Sequence, residues 1–186
     1  MEAGSMGFHD NLIDATHRQI RDTAKRFALD AIAPHADAWE EAGEFPRDLY
    51  PRAAAAGILG VGFPEAVGGS GGGPMACVMA IEGLMAGRST GVAVGLGSAG
   101  IAMPALVQAG DAAQIDRFVR PVMAGEKIRP SPSPARHGQR CRGGLDTRGA
   151  HGDDYVVTGA KMFITSGVRA DFLTTLVRTA PTPTAA

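Results

Sequence analysis

The chain has 186 residues, 45% of them hydrophobic, and a formal net charge of −1. That is enough apolar material for one good core or two small ones, which excludes a disordered chain. The charge excludes a polyanionic partner, because nucleic-acid binding needs a clustered excess of Lys and Arg.

The first ten residues are polar and contain glycine, so they are expected to fray. Residues 11–38 read as one amphipathic helix. Ile13, Ile20, Ala24, Phe27 and Ala31 form one stripe, with Arg18, Arg21, Asp22 and Lys25 opposite, and Pro34 bends or ends it. A second helix, about 47–56, stops at Gly57. The glycine-rich stretch 68–73 reads as a flexible turn between helices. Pro74 then opens a helix whose apolar face is Cys77, Ile81, Leu84 and Met85. Residues 89–109 carry no charge. Their Ala and Gly content and Pro104 give too little transfer energy for a membrane span, so 90–108 reads as a buried helix. Asp111 caps a last helix with Ile115, Phe118, Val119, Val122 and Met123 on one face and Gly125 at its end.

After Gly125 the pattern changes. Tyr155-Val156-Val157 and Met162-Phe163-Ile164-Thr165 are β-rich runs, separated by Thr158-Gly159 and stopped by Ser166-Gly167. Strands are expected near 154–165 and 171–178, and an irregular stretch over 129–144. The fold class is α+β, with a helical domain over 1–125 and a β-domain beginning at 126.

Several patterns invite other functions. Gly95-x-Gly97-x-x-Gly100, with Asp116 downstream, matches a dinucleotide-binding turn and makes an NAD(P)-binding Rossmann protein the alternative enzyme reading. Long helical stretches before it and the absence of a following strand argue against it. The five histidines show no metal spacing, and His17 on the apolar stripe reads as a satisfied core residue. Glu65 and Glu82 read as structural carboxylates, and no Ser-His-Asp arrangement follows from spacing. Cys77 and Cys141, the only cysteines, read as unpaired thiols. With no recognisable signal peptide, they fit a reducing cytoplasm.

The run from Asp153 to Gly167, followed by Arg169-Ala170-Asp171-Phe172 and Val177-Arg178-Thr179, resembles the middle β-domain of the acyl-CoA dehydrogenase family. The resemblance continues upstream through Glu44-Phe45-Pro46, Gly57-Ile58-Leu59-Gly60 and Pro64 to Gly69, and covers roughly residues 18 to 179. It implies a helical domain followed by the start of a β-barrel-like domain. The implied chemistry is α,β-dehydrogenation of an acyl-CoA thioester, with FAD as cofactor and an electron-transfer flavoprotein as acceptor. By the same resemblance, Phe163, Ile164 and Thr165 match the flavin wall, with the Thr hydroxyl near the reactive nitrogen. Leu96, Ser98 and Ile101 lie on the helix that borders the acyl pocket. The catalytic Glu and much of a homotetramer interface belong to a C-terminal helical domain in the family. No residue of this chain is therefore assigned as the base, and the chain alone is expected to be a truncated form without activity. The non-enzymatic alternative is a helical remnant or interaction module.

The resemblance breaks at one place. The family motif Ala-Ile-Thr-Glu-Pro-Gly-Thr-Gly-Ser-Asp-Val-Ala, which holds the flavin, is replaced by Arg129-Pro130-Ser131-Pro132-Ser133-Pro134-Ala135-Arg136-His137-Gly138-Gln139-Arg140-Cys141-Arg142. Prolines alternating with serine cannot build a strand ladder. If residues 129–136 are coded CGG CCA TCA CCG AGC CCG GCA CGG, reading from the third base gives Ala-Ile-Thr-Glu-Pro-Gly-Thr. If residues 138–143 are coded GGG CAG CGA TGT CGC GGG, reading from the second base gives Gly-Ser-Asp-Val-Ala. On those codons both halves of the motif would lie in neighbouring frames, in the right order. Resequencing the gene across codons 128–145 is expected to reveal the frame changes. A confirmed open frame whose codons yield neither segment when shifted would refute this.

Overall fold

The computed structural model describes residues 12–97, 99–128, 145–151, 154–158, 164–175 and 177–178, which fall into two units, Met1–Ile128 and Arg129–Ala186. The stretch 129–144, expected to be irregular, lies outside the described residues.

Helix α1 runs Ala15–Ala31 and opens on a reciprocal cap. The Asp14 carboxylate accepts from the His17 amide at 2.8 Å, and His17 Nδ1 accepts from the Asp14 amide at 3.3 Å. Two helix-end donors are thereby satisfied, which fixes a later start than the sequence pattern gave. The hydrogen bond from the His17 backbone, aided by the charges of His17 and Arg18, holds the Asp14 carboxyl below its ordinary value. A carboxyl lowered in the folded state stabilises above its unfolded value, and that contribution is lost as pH falls through the folded value. Asp14→Ala is therefore expected to lower the melting temperature at neutral pH, with the difference closing on acidification, as read by circular dichroism. Equal melting at both pH values would overturn this.

Pro34 ends α1. A 3-10 turn, Ala33–His35, leads into α2, Ala36–Ala42, which stops at Gly43 with φ 70°. Helix α3, Leu49–Ala55, buries Leu49, Tyr50 and Ala53. The segment after it is not a flexible connector, and the expectation for Ser70 and Gly71 is corrected. Gly62 N–H donates to Gly71 O at 2.7 Å, Ser70 N–H to Gly60 O at 2.8 Å, and Ser70 Oγ to Gly57 O at 2.9 Å. These bonds pull residues 57–71 into a compact loop.

Helix α4, Pro74–Leu84, buries Ala76, Met79, Ala80, Gly83 and Leu84. The expected face of Cys77, Ile81, Leu84 and Met85 is corrected: Cys77 is half-buried, while Ile81 and Met85 are exposed. The reason is that α1 and α4 meet through small residues, Ala24 and Ala28 on one side and Ala80 and Gly83 on the other.

The uncharged run is three short helices rather than one: α5 (Thr90–Gly97), α6 (Ala99–Ala102) and α7 (Pro104–Ala109). Buried Ser89 starts α5, accepting from the Val92 amide at 3.1 Å and donating to Glu40 Oε1 at 2.5 Å. That pair ties α2 to the N-terminus of α5, where a carboxylate is electrostatically favoured.

Asp111 caps the last helix through a reciprocal bond with Gln114. The helix runs through α8 (Ala112–Gln114), a π turn (Ile115–Val119) and α9 (Arg120–Met123). Pro121 has no N–H for the carbonyl four residues back. Lys127 Nζ donates to that carbonyl, Arg117 O, at 3.0 Å instead. Val119, Val122 and Met123 are buried; Ile115 and Phe118 are half-buried.

In the second unit, β1 (Leu145–His151) pairs antiparallel with β2 (Asp154–Thr158) and parallel with β3 (Val177–Arg178), in the order β2-β1-β3. The β1–β2 register runs Asp146 with Thr158 and Thr147 with Val157, then shifts to Ala150 with Tyr155. Strand β1 was not expected from the sequence. The strands expected over 154–165 and 171–178 are shorter, at 154–158 and 177–178 among the described residues.

Candidate functional site

In the helical unit, Leu96 and Ile101 behave differently. Leu96 is 2% exposed and packs in the core cluster with Tyr50 and Leu84, so it supports α5 from behind. Ile101 on α6 is 62% exposed. Ser98 lies outside the described residues. Val94 on α5, not singled out in the sequence, is also exposed, as are Val78, Ile81 and Met85 on or just after α4. For Val94 the signal was the absence of charge over 89–109.

The dinucleotide reading is overturned here. Gly95 and Gly97 lie inside helix α5 and Gly100 inside α6, whereas a phosphate-binding turn needs a strand running into a loop. Among the described residues of this unit no strand precedes α5. Gly95 serves packing: a Cβ there would sit 2.8 Å from Phe45 Cζ.

In the second unit, Phe163 lies outside the described residues. Ile164 is half-buried and Thr165 is exposed at the start of a turn over 165–169. Their placement on a strand is corrected. Ser166 takes a left-handed conformation at φ 61°, and Gly167 N–H closes back onto Ile164 O at 2.9 Å. Extension past Thr165 is therefore blocked, and the hydroxyl sits on a turn held by backbone bonds.

The remaining chemical groups are occupied structurally. His17 caps α1. Glu82 faces Arg21 at 3.8 Å, and exposed Glu65 lies in a 3-10 turn. Cys77 Sγ donates to Val61 O at 3.7 Å, and burial pushes the thiol's pKa up, so it stays protonated and unreactive at neutral pH. Among the described residues no group of His, Cys, Asp and Glu could hold a metal, and no helix is long and apolar enough to cross a membrane.

The family model for the acyl-CoA dehydrogenase N-terminal domain matches residues 14–126, more than half of the chain. The chain belongs to the acyl-CoA dehydrogenase family. It is 28% identical to the mouse mitochondrial long-chain specific acyl-CoA dehydrogenase, over 87% of the chain and 38% of that protein. It is 32% identical to CarC of the caffeyl-CoA reductase–Etf complex from Acetobacterium woodii, over 83% of the chain and 41% of that protein. Its fold superposes on a probable acyl-CoA dehydrogenase from Mycobacterium abscessus with a TM-score of 0.81 and 44% identity, covering 90% of the chain and 45% of that structure. The chain thus spans less than half the length of these acyl-CoA dehydrogenase relatives.

Proposed function

We propose that the chain is the N-terminal helical domain, with the leading part of the middle β-domain, of a cytoplasmic FAD-dependent acyl-CoA dehydrogenase acting in fatty-acid metabolism. The observation that carries this reading is the near coincidence of the matched stretch, 14–126, with the helical unit ending at Ile128. In this reading the substrate is an acyl-CoA thioester and the assembly a homotetramer. The acceptor is an electron-transfer flavoprotein, as the name of the CarC relative's complex supports.

The residues present suit these ligands. Exposed Thr165 offers a hydroxyl on a backbone-pinned turn, fit to donate to the polar edge of an isoalloxazine ring. Ile164, half-buried beside it, suits the ring face, and the family resemblance assigns Phe163 to the same wall. Bound flavin would supply the hydride acceptor. Ile101 and Ser98 would border the acyl chain, with Leu96 fixing the helix behind them.

The test is a chimaera joining residues 1–178, with the 129–143 segment restored to the family motif, to the C-terminal part of the M. abscessus relative. A yellow protein bleached by a saturated acyl-CoA is expected. Flavin retained but bleached by no straight-chain acyl-CoA would overturn the activity. A folded but colourless chimaera would favour the helical interaction module.

A further inference from the structure

Among the described residues of the helical unit, a pair of cavities shares a wall. The larger, about 260 Å³, is a groove between the first half of α1 and the 57–71 loop. The smaller, about 70 Å³, lies between α4 and the α5–α6 run and is lined by Cys77, Ile81, Leu96 and Gly97 among others. Ile58, Val61 and Ala80 line both, so a single layer of side chains separates them.

We propose that the groove binds an uncharged apolar small molecule of about phenyl size, and that its occupancy is transmitted through the Ile58–Val61–Ala80 wall to Ile81 and Leu96. The chemistry of the lining selects the ligand. Its floor includes Ile20 and Ala24, its rim Thr16, Gln19 and Ser70, and no charged residue contributes. A charged ligand would lose its hydration there with no countercharge to replace it. The groove is open to solvent on one side, and its volume of about 260 Å³ exceeds the roughly 150 Å³ of an enclosed apolar cavity that holds benzene. The smaller void is too tight for that ligand.

The transmission follows from packing. Close-packed interiors yield only where space is left behind the moving group, and the void supplies that space behind this wall. Val61 is also tied to both sides. It bridges Gly71, which lines the groove, and its carbonyl accepts the Cys77 thiol, which lines the void. Gly62 leaves no slack, because a Cβ there would overlap Cys77 Sγ. The bearing of this coupling on the acyl border rests on the function proposed above. The test reads the chain's own resonances and stands whether or not acyl-CoA binds.

The whole chain, labelled at its methyl groups, is titrated with benzene and separately with cyclohexane, which has no ring current. The expected result is saturable shifts at Ile20, Ile81 and Leu96 that follow one isotherm for each probe. Thr16→Trp, filling the groove mouth, is expected to abolish all three, and Gln19→Trp serves if that variant does not fold. Val61→Ala is expected to keep the Ile20 response and lose those at Ile81 and Leu96. Shifts confined to Ile20 in the unmodified chain would overturn the coupling. Shifts at Ile81 and Leu96 that survive groove filling would mean that the probe enters the void, which also overturns it. Shifts that never saturate would overturn the site itself.

Discussion

Replacing Gly83 by alanine is expected to destabilise the helical unit by about 1–3 kcal/mol, the usual cost of overpacking a close contact. The added Cβ would stand 2.7 Å from Ala24 Cβ and 2.9 Å from Lys25 N, and would overlap the Arg21 carbonyl oxygen. None of these atoms is the end of a flexible side chain, so relief requires α1 and α4 to move apart. Separation would open contacts around Ala28 and Leu84, both at most 1% exposed. Against a typical domain stability of about 5–15 kcal/mol, that is a large fraction. Gly83→Leu is expected to prevent folding. Gly100→Ala is the control: it lies inside α6 with nothing within 4 Å of its Cβ position, so it should not lower the midpoint. Urea unfolding followed by circular dichroism decides. A Gly83→Ala midpoint equal to that of the unmodified chain would show that the α1–α4 contact is looser than its geometry states.

The same contact explains what the sequence concealed. Helical periodicity gave the correct order of helices and the caps at Asp111 and Gly57. Of the α1 stripe it chose, Ala24 and Ala31 are buried, and of the α4 face Leu84 is; the larger Ile81 and Met85, chosen with Leu84, and Ile20 and Phe27, chosen with the alanines, are not. The structure buries alanine and glycine at that contact, because backbones approach closely only where side chains are short. Ile20 and Phe27 are left half-buried, and Ile81 and Met85 exposed. An apolar stripe therefore marks the right helix and can mark the wrong side of it. The run over 90–108 concealed its breaks for a related reason. It is uniformly apolar, so no amphipathic phase records where one helix stops, and only Pro104 and the glycines mark the joints.

The β-unit was legible in part. Tyr155-Val156-Val157 announced β2 because β-branched and aromatic residues cluster there. Strand β1 reads Leu-Asp-Thr-Arg-Gly-Ala-His and has no such signal. It pairs through its backbone, and its register shifts between Thr147 and Ala150, a stretch that includes Gly149. An apolar alternation would have been broken at that shift in any case. Of the proposed site, the family motif singled out the Ile164–Thr165 pair but not its conformation, since the left-handed Ser166 is a local backbone choice with no hydrophobic signature. Leu96 was placed on the right helix, and only the packing of α5 against Tyr50 shows that it faces inward.

Restoring the family motif in place of residues 129–143 is expected to tighten FAD binding by about 10- to 1,000-fold. The motif offers backbone N–H donors where the translated segment has Pro130, Pro132 and Pro134, which have none, and it sets its hydroxyls in the family's order. Each net hydrogen bond is worth about 0.5–1.5 kcal/mol, so three amount to about 1.5–4.5 kcal/mol, at about 1.4 kcal/mol per tenfold in affinity. In the proposed site Thr165 would add one bond, which matters only when the ring is held elsewhere. Thr165→Ala should therefore cost the restored chain about two- to tenfold in affinity, the value of one such bond. It should leave the chain as translated unchanged. Quenching of flavin fluorescence on titration measures all four proteins. Equal affinities for the translated and restored chains would remove residues 129–143 from the flavin site. A Thr165→Ala effect that appears equally in both chains would place the ring's main anchor on the 165–169 turn instead.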